Sequence, residues 1–213
     1  MSTKRQIPHN DGVYFITFTC YKWLPLFEIT NGYDIVYKWF DYLKSKGHYI
    51  IGYVIMPNHV HALIGFSSSV KSINTIIGNG KRFMAYEIIK RLTARNEIEL
   101  LEELSRRVSK REEKRGKLHE VFEESFDWKE CRSDKFIDQK LDYMHDNPCR
   151  GVWDLAENPA DYLHSSAKFY LTGEQSFYVV THCGELNDID LAKNLINEMQ
   201  VNAESRSGDS AWN

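Results

Sequence analysis

The chain has 213 residues, 42% of them apolar and 13% aromatic, with a formal net charge of −3 at pH 7. That length suits one domain with room for an appendage, and the apolar share excludes wholesale disorder. No apolar run approaches the roughly 18 residues of a membrane span, and the slight acidity does not announce a nucleic-acid binder, so the distribution of charge has to be read rather than its sum.

Residues 1–8, Met-Ser-Thr-Lys-Arg-Gln-Ile-Pro, lack the apolar centre of a secretory signal. Cys20, Cys131, Cys149 and Cys183 are far apart and form no CxxC pair, which fits neither a zinc framework nor a disulfide scaffold. A cytoplasmic protein with reduced thiols is the expectation. Residues 14–20 are aromatic and β-branched and read as a strand. Asn31-Gly32 punctuates the chain, and residues 33–46 then take a helical period, with Ile35, Val36, Trp39, Phe40 and Leu43 on one stripe and Gly47 as the stop. Residues 49–56 and 59–66 are two more strands, joined as an antiparallel hairpin by Pro57-Asn58, a pair suited to a tight turn.

A long helix follows over about 70–92, weakened in its middle by Gly78 and Gly80. Residues from about 93 to 120 are dense in both charges. They read as a solvated helical insertion with i,i+4 pairs, or as an arm that contacts DNA. Residues 121–131 suggest a fourth strand. Ser133-Asp134 opens a helix that runs to about Asn147, where Pro148 disfavours further helical geometry. Residues 151–177 are loop-like, with Trp153, Tyr162, Phe169 and Tyr170 as anchors, and one helix is predicted over 188–199 before a frayed end. Together these predict an α+β fold, an antiparallel sheet packed with helices. Residues 1–180 would form the domain and 181–213 an acidic tail.

Three groups of residues carry chemistry. On a strand, residues two apart share a face, so His59 and His61 project together while Val60, Ala62, Ile64 and Phe66 form an apolar set on the other side. Two neighbouring imidazoles can hold one metal ion, or be ordinary polar-face histidines. Tyr143 and Asn147 are four apart on a predicted helix and share its face. A phenol can be a nucleophile and an amide oxygen a metal ligand; equally, the pair can be an interface tyrosine and a helix terminator. Lys71, Lys81, Arg82, Lys90, Arg91 and Arg95 lie on or near the long helix against Glu87 alone, either tracking a phosphate backbone or forming a solvated face. A cation between two histidines and an asparagine, one helical turn from a tyrosine, is a workable phosphoryl-transfer site.

The segment from Met56 to Ile64, MPNHVHALI, resembles the MPNHxH segment of single-tyrosine HUH transposases of the insertion-sequence-200 kind. Tyr143 to Pro148, YMHDNP, followed by Arg150-Gly151, resembles their YxxxNP segment, and Asp161 to Ala167, DYLHSSA, followed by Tyr170, resembles the DYxxSSA stretch after it. The combination is most similar to the REP-associated tyrosine transposases and spans residues 13–170. The resemblance implies a ferredoxin-like HUH nuclease fold. It implies that His59 and His61 bind Mg²⁺ or Mn²⁺ with Asn147 as third ligand, a position where many insertion-sequence relatives place Gln, and that Tyr143 is the nucleophile. Lys81, Arg82 and Arg150 are the candidate DNA contacts. The implied reaction is DNA transposition: nicking and joining of single-stranded DNA beside a hairpin through a 5′-phosphotyrosine link, by a monomer or a homodimer. The charged segment 93–120 is longer than the usual connection. The acidic tail, with Glu185, Asp188, Asp190, Glu198, Glu204 and Asp209, is outside the resemblance and could cover the site or pack on a partner. Two other readings remain at this point: a domesticated hairpin-binding protein that rarely cuts, and a histidine-metal hydrolase of small phosphoesters that uses water.

Overall fold

Period-two alternation divides every long strand between two faces, and the computed structural model, which describes residues 6–114, 116–151 and 153–193, covers both. The elements run β1 (Gly12–Thr19), α1 (Leu26–Ile29), α2 (Tyr33–Ser45), β2 (Tyr49–Ile55), β3 (His59–Phe66), α3 (Ile73–Ala94), α4 (Ile98–Arg106), α5 (Lys110–Glu113), β4 (Asp127–Glu130), α6 (Asp134–His145) and α7 (Ala167–Thr172). Short 3-10 turns lie at Tyr21–Trp23, Asn147–Cys149, Pro159–Asp161 and Cys183–Asp188. The strands form a four-stranded sheet in the order β2-β3-β1-β4, antiparallel at every pairing. This is the predicted α+β fold, and its connectivity is ferredoxin-like.

One face of the sheet is apolar along β1 and β3. Tyr14, Ile16 and Phe18 of β1 and Val60, Ala62, Ile64 and Phe66 of β3 pack under α2 and α3. Ser72 caps α3, its side chain accepting from the Thr75 amide. Gly80 is where α2 presses on α3: a Cβ there would stand 2.3 Å from Trp39 Nε1. The glycine that weakens the helix in sequence terms is thus the notch that admits a buried indole. Arg91 of α3 completes the contact with a two-pronged pair to Asp34 of α2, at 2.7 and 2.8 Å.

The other face carries Phe15, Ile51, Val54 and Leu63, covered by Ile137, Leu141 and Met144 of α6. A register shift between Ile50 and Gly52 of β2 sends both Ile51 and Gly52 to this side. A Cβ at Gly52 would meet Leu141 Cδ2 at 2.6 Å. The free edge of β2 is covered by the chain that follows α6: His164 O accepts from Ile55 N, Tyr53 O from Ser166 N, and Ile50 O from Thr181 N.

Three expectations change. The fourth strand spans four residues, not eleven. Lys81 Nζ donates to the carbonyls of Glu123 and Ser125, and the chain before β4 meets the end of β1 through the Cys20–Phe122 bridge, with Glu123 N donating to Thr19 O and Tyr21 N to Val121 O. Asn147 lies just past α6, in the 3-10 turn. Of the helix predicted over 188–199, Asp188 ends a 3-10 turn, 189–193 are non-helical, and 194–199 lie outside the described residues. The charged segment folds as α4 and α5, with a Glu102–Arg106 pair one turn apart and a Ser109/Glu112 capping box. Residues 183–191 pack at the far end of β3, where Leu186 touches the position of Gly65 and Leu191 O accepts from Ser68 N. Six residues of strand, about 20 Å, separate Gly65 from His59. Among the described residues, no helix is long and apolar enough to cross a membrane.

Candidate active site

β3 begins at the pair the sequence singled out. His59 and His61 are both 5% exposed, and each is held by an oxygen from a different part of the chain. The β1–β3 register places Thr17 opposite His61, and Thr17 Oγ1 lies 2.6 Å from His61 Nδ1. His59 Nδ1 lies 2.6 Å from Asn58 Oδ1. The Asn58 amide is oriented by its other end, because Nδ2 donates to Trp23 O at 3.0 Å. His59 Nδ1 therefore carries the proton and donates it to Asn58, leaving the Nε2 lone pair pointing away. Burial pushes the His59 imidazole down to about 4. His61 is pushed to about 3, by burial first, then by His59 and Lys140. Both rings are neutral at pH 7, as metal ligands must be.

The nucleophile candidate comes from α6. Tyr143 is 53% exposed, its ring edge-on to His61 with centroids 5.4 Å apart. Phe15 stacks on His61 at 5.3 Å and meets Tyr143 edge-on at 6.1 Å. One turn further, Asn147 Nδ2 donates to Tyr143 O at 3.2 Å, which turns its Oδ1 outward. The Asn147 side chain is also in hydrogen-bonding contact with His59. His59, being neutral, has one N–H to give, and Asn58 takes it, which leaves the other ring nitrogen as a lone-pair donor on the side of the Asn147 amide. Among the described residues no three His, Cys, Asp or Glu side chains gather around a metal position. The donor set that fits one is His59, His61 and Asn147, and it holds no carboxylate to neutralise the ion's charge.

Other residues reach the site without having been singled out in the sequence. Lys140, three residues before Tyr143, sits among aromatic rings, its Nζ 5.6 Å from the Tyr143 centroid, 5.4 Å from Phe15 and 5.0 Å from Phe136. Its spacing to Tyr143 on one helix face was the available signal. His145 is buried with Nε2 2.8 Å from Ser166 Oγ, and Ser166 Oγ accepts from Tyr53 N at 2.9 Å. Together with Tyr162, whose hydroxyl donates to Ile55 O at 2.9 Å, this fixes the end of α6 to β2 and gives the DYLHSSA segment a mechanical role.

Of the predicted DNA contacts, Arg150 is near: it pairs with Asp146 beside Asn147 and stays exposed. Lys81 and Arg82 are not brought to the histidines, since α3 lies across the sheet from α6. Burial lowers Lys81 to about 8, and it donates to backbone carbonyls. With Arg91 bound to Asp34 and Lys90 to Glu87, much of the basic helix is engaged within the fold.

No family model matches the chain, and no curated protein does. The chain is similar to solved structures, two of them as follows. One, described as a REP-associated tyrosine transposase bound to a REP hairpin, aligns with a TM-score of 0.56 at 14% identity over 85% of this chain and 92% of that one. The other, a putative transposase from Deinococcus radiodurans R1, aligns with a TM-score of 0.37 at 17% identity over 68% of this chain and 97% of that one. The first shows that this chain shares the fold of that transposase.

Proposed function

We propose that the protein is a transposase-like endonuclease and strand transferase that acts on single-stranded DNA beside a hairpin. The observation that carries this reading is the nearness of the neutral His59–His61 pair and the Asn147 amide to the exposed phenol of Tyr143. The shared fold with a transposase whose structure holds a REP hairpin supports the choice of substrate.

A divalent cation, Mg²⁺ or Mn²⁺, held by His59, His61 and Asn147 would polarise a DNA phosphate and offset the charge that develops on it. Tyr143 Oη attacks that phosphorus. The P–O3′ bond breaks, O3′ takes a proton and leaves as a free hydroxyl, and the 5′-phosphate stays on Tyr143. The phosphodiester bond energy is retained in the ester, so attack by a 3′-hydroxyl in the reverse sense rejoins the strand without ATP. Lys140 brings positive charge to the Tyr143 side, and Phe15 lies against both His61 and Tyr143.

The test is a covalent adduct. Purified protein is incubated with labelled single-stranded hairpin oligonucleotides and Mn²⁺, then run on a denaturing gel beside Tyr143→Phe. An adduct that needs both metal and the tyrosine hydroxyl is expected. Hairpin binding without any adduct would point instead to a DNA-binding role, and turnover of a small phosphodiester by Tyr143→Phe to a hydrolase that uses water.

A further inference from the structure

Trp23 is 61% exposed, yet its backbone is fixed. Lys22 and Trp23 hold φ of +50° and +60°, a left-handed conformation that residues with side chains seldom adopt in succession. Several contacts hold them there. Trp23 N donates to Cys20 O at 3.0 Å, Lys22 N donates to Glu123 Oε1 at 3.0 Å, and Trp23 O accepts from Asn58 Nδ2 at 3.0 Å. The indole stands against His59, edge to face, with centroids 5.6 Å apart.

The result is a row of rings across the candidate site. Trp23 adjoins His59, His59 adjoins His61 at 4.8 Å, and His61 adjoins Phe15 and Tyr143. The two large side chains at its ends, Trp23 and Tyr143, are exposed. The Asn58 amide joins one end to the centre, holding the His59 ring with its oxygen and the Trp23 carbonyl with its nitrogen. A phosphate bound between the histidines and Tyr143 has a nucleoside on each side, and the side away from Tyr143 is occupied by the indole.

We infer that Trp23 is a base-stacking platform: the nucleobase adjoining the phosphate at the histidine pair lies on its exposed indole face. This rests on the reading of the site as one for single-stranded DNA. Stacking of this kind tolerates any base, because every base has a π-face. It would set the register of the strand over Tyr143 without reading its sequence.

The test reads binding alone. Short labelled single strands are titrated in EDTA, so that no cleavage occurs, with one abasic nucleotide moved along the strand. Wild type, Trp23→Ala and Trp23→Phe are compared by fluorescence anisotropy. Wild type is expected to lose about 5- to 150-fold in affinity at one abasic position, the range for a single base–aromatic stack. Trp23→Ala should bind the intact strand weaker by a similar factor and be indifferent to that abasic position, while Trp23→Phe keeps most of the sensitivity. A Trp23→Ala protein that is weaker on every strand and still loses the same factor at the abasic position overturns the stack, as does one that binds like wild type. Wild type that binds no single strand at all overturns the DNA reading together with the platform.

Discussion

The two sides of β3 are equally buried and are built by different rules. Val60, Ala62, Ile64 and Phe66 on one side are fully inaccessible and need only be filled around. His59 and His61 on the other are 5% exposed, and each needs a hydrogen-bond partner placed for it: Asn58 for one, Thr17 for the other. Buried imidazoles with dedicated partners stabilise a fold less than leucines would. The polar face is therefore where the fold gives up stability.

That contrast can be broken most severely at the histidines. Replacing His61 by Leu should remove metal-dependent adduct formation altogether while the melting temperature holds or rises, up to about 2 kcal/mol in stability. A gel and a thermal melt on the same sample check both halves, and a clear fall in the melt would undo the contrast. The mirror-image change is Ile64→Ala on the apolar side. It should lower stability by about 2–5 kcal/mol in urea unfolding, as buried large-to-small changes do, and adduct yield per folded molecule should be unchanged. Asn58→Ala tests the partner of His59. Mn²⁺ affinity by calorimetry should fall about 10- to 100-fold; an unchanged affinity would mean that Asn58 does not orient His59.

The smallest effect concerns a histidine on the apolar side. His48 packs against Phe66, accepts from Ser67 N through Nδ1, and is held by burial at about 4, below the ordinary value near 6.5. The unfolded chain takes up the proton first. The contribution of neutral His48 is complete above about pH 6.5 and is lost as pH falls toward 4, then levels off. His145 and His164 are depressed by burial in the same sense and share the slope. His48→Asn keeps an acceptor for Ser67 and cannot titrate, so its urea midpoint should vary less with pH over that interval than that of wild type.

The sheet, the hairpin and the helices at 33–46 and 134–147 were legible because alternation and helical period are local. His59 and His61 could be singled out for the same reason, since both sit within β3, and the spacing of Tyr143 and Asn147 is local too, although Asn147 falls just past α6. Thr17 was not, since it meets His61 through the β1–β3 register, and no local pattern encodes a register. Asn58 was read as a turn residue, which hid its amide contacts to His59 and Trp23. Lys81 was assigned to DNA by its charge, whereas its place in the fold gives it two carbonyls to hold.

Gly52 lies at the widened point of β2, and Leu141 rests where its side chain would be. Tyr143 is on the same helix two residues later. The empty space at Gly52 therefore seats Leu141, and with it α6, close against the sheet. A methyl group at residue 52 would have to displace the end of that leucine side chain. Since an error of about 1 Å in the aim of a reacting group can lower a rate a hundredfold, the aim of the proposed nucleophile would depend on a position in the sheet away from the histidines.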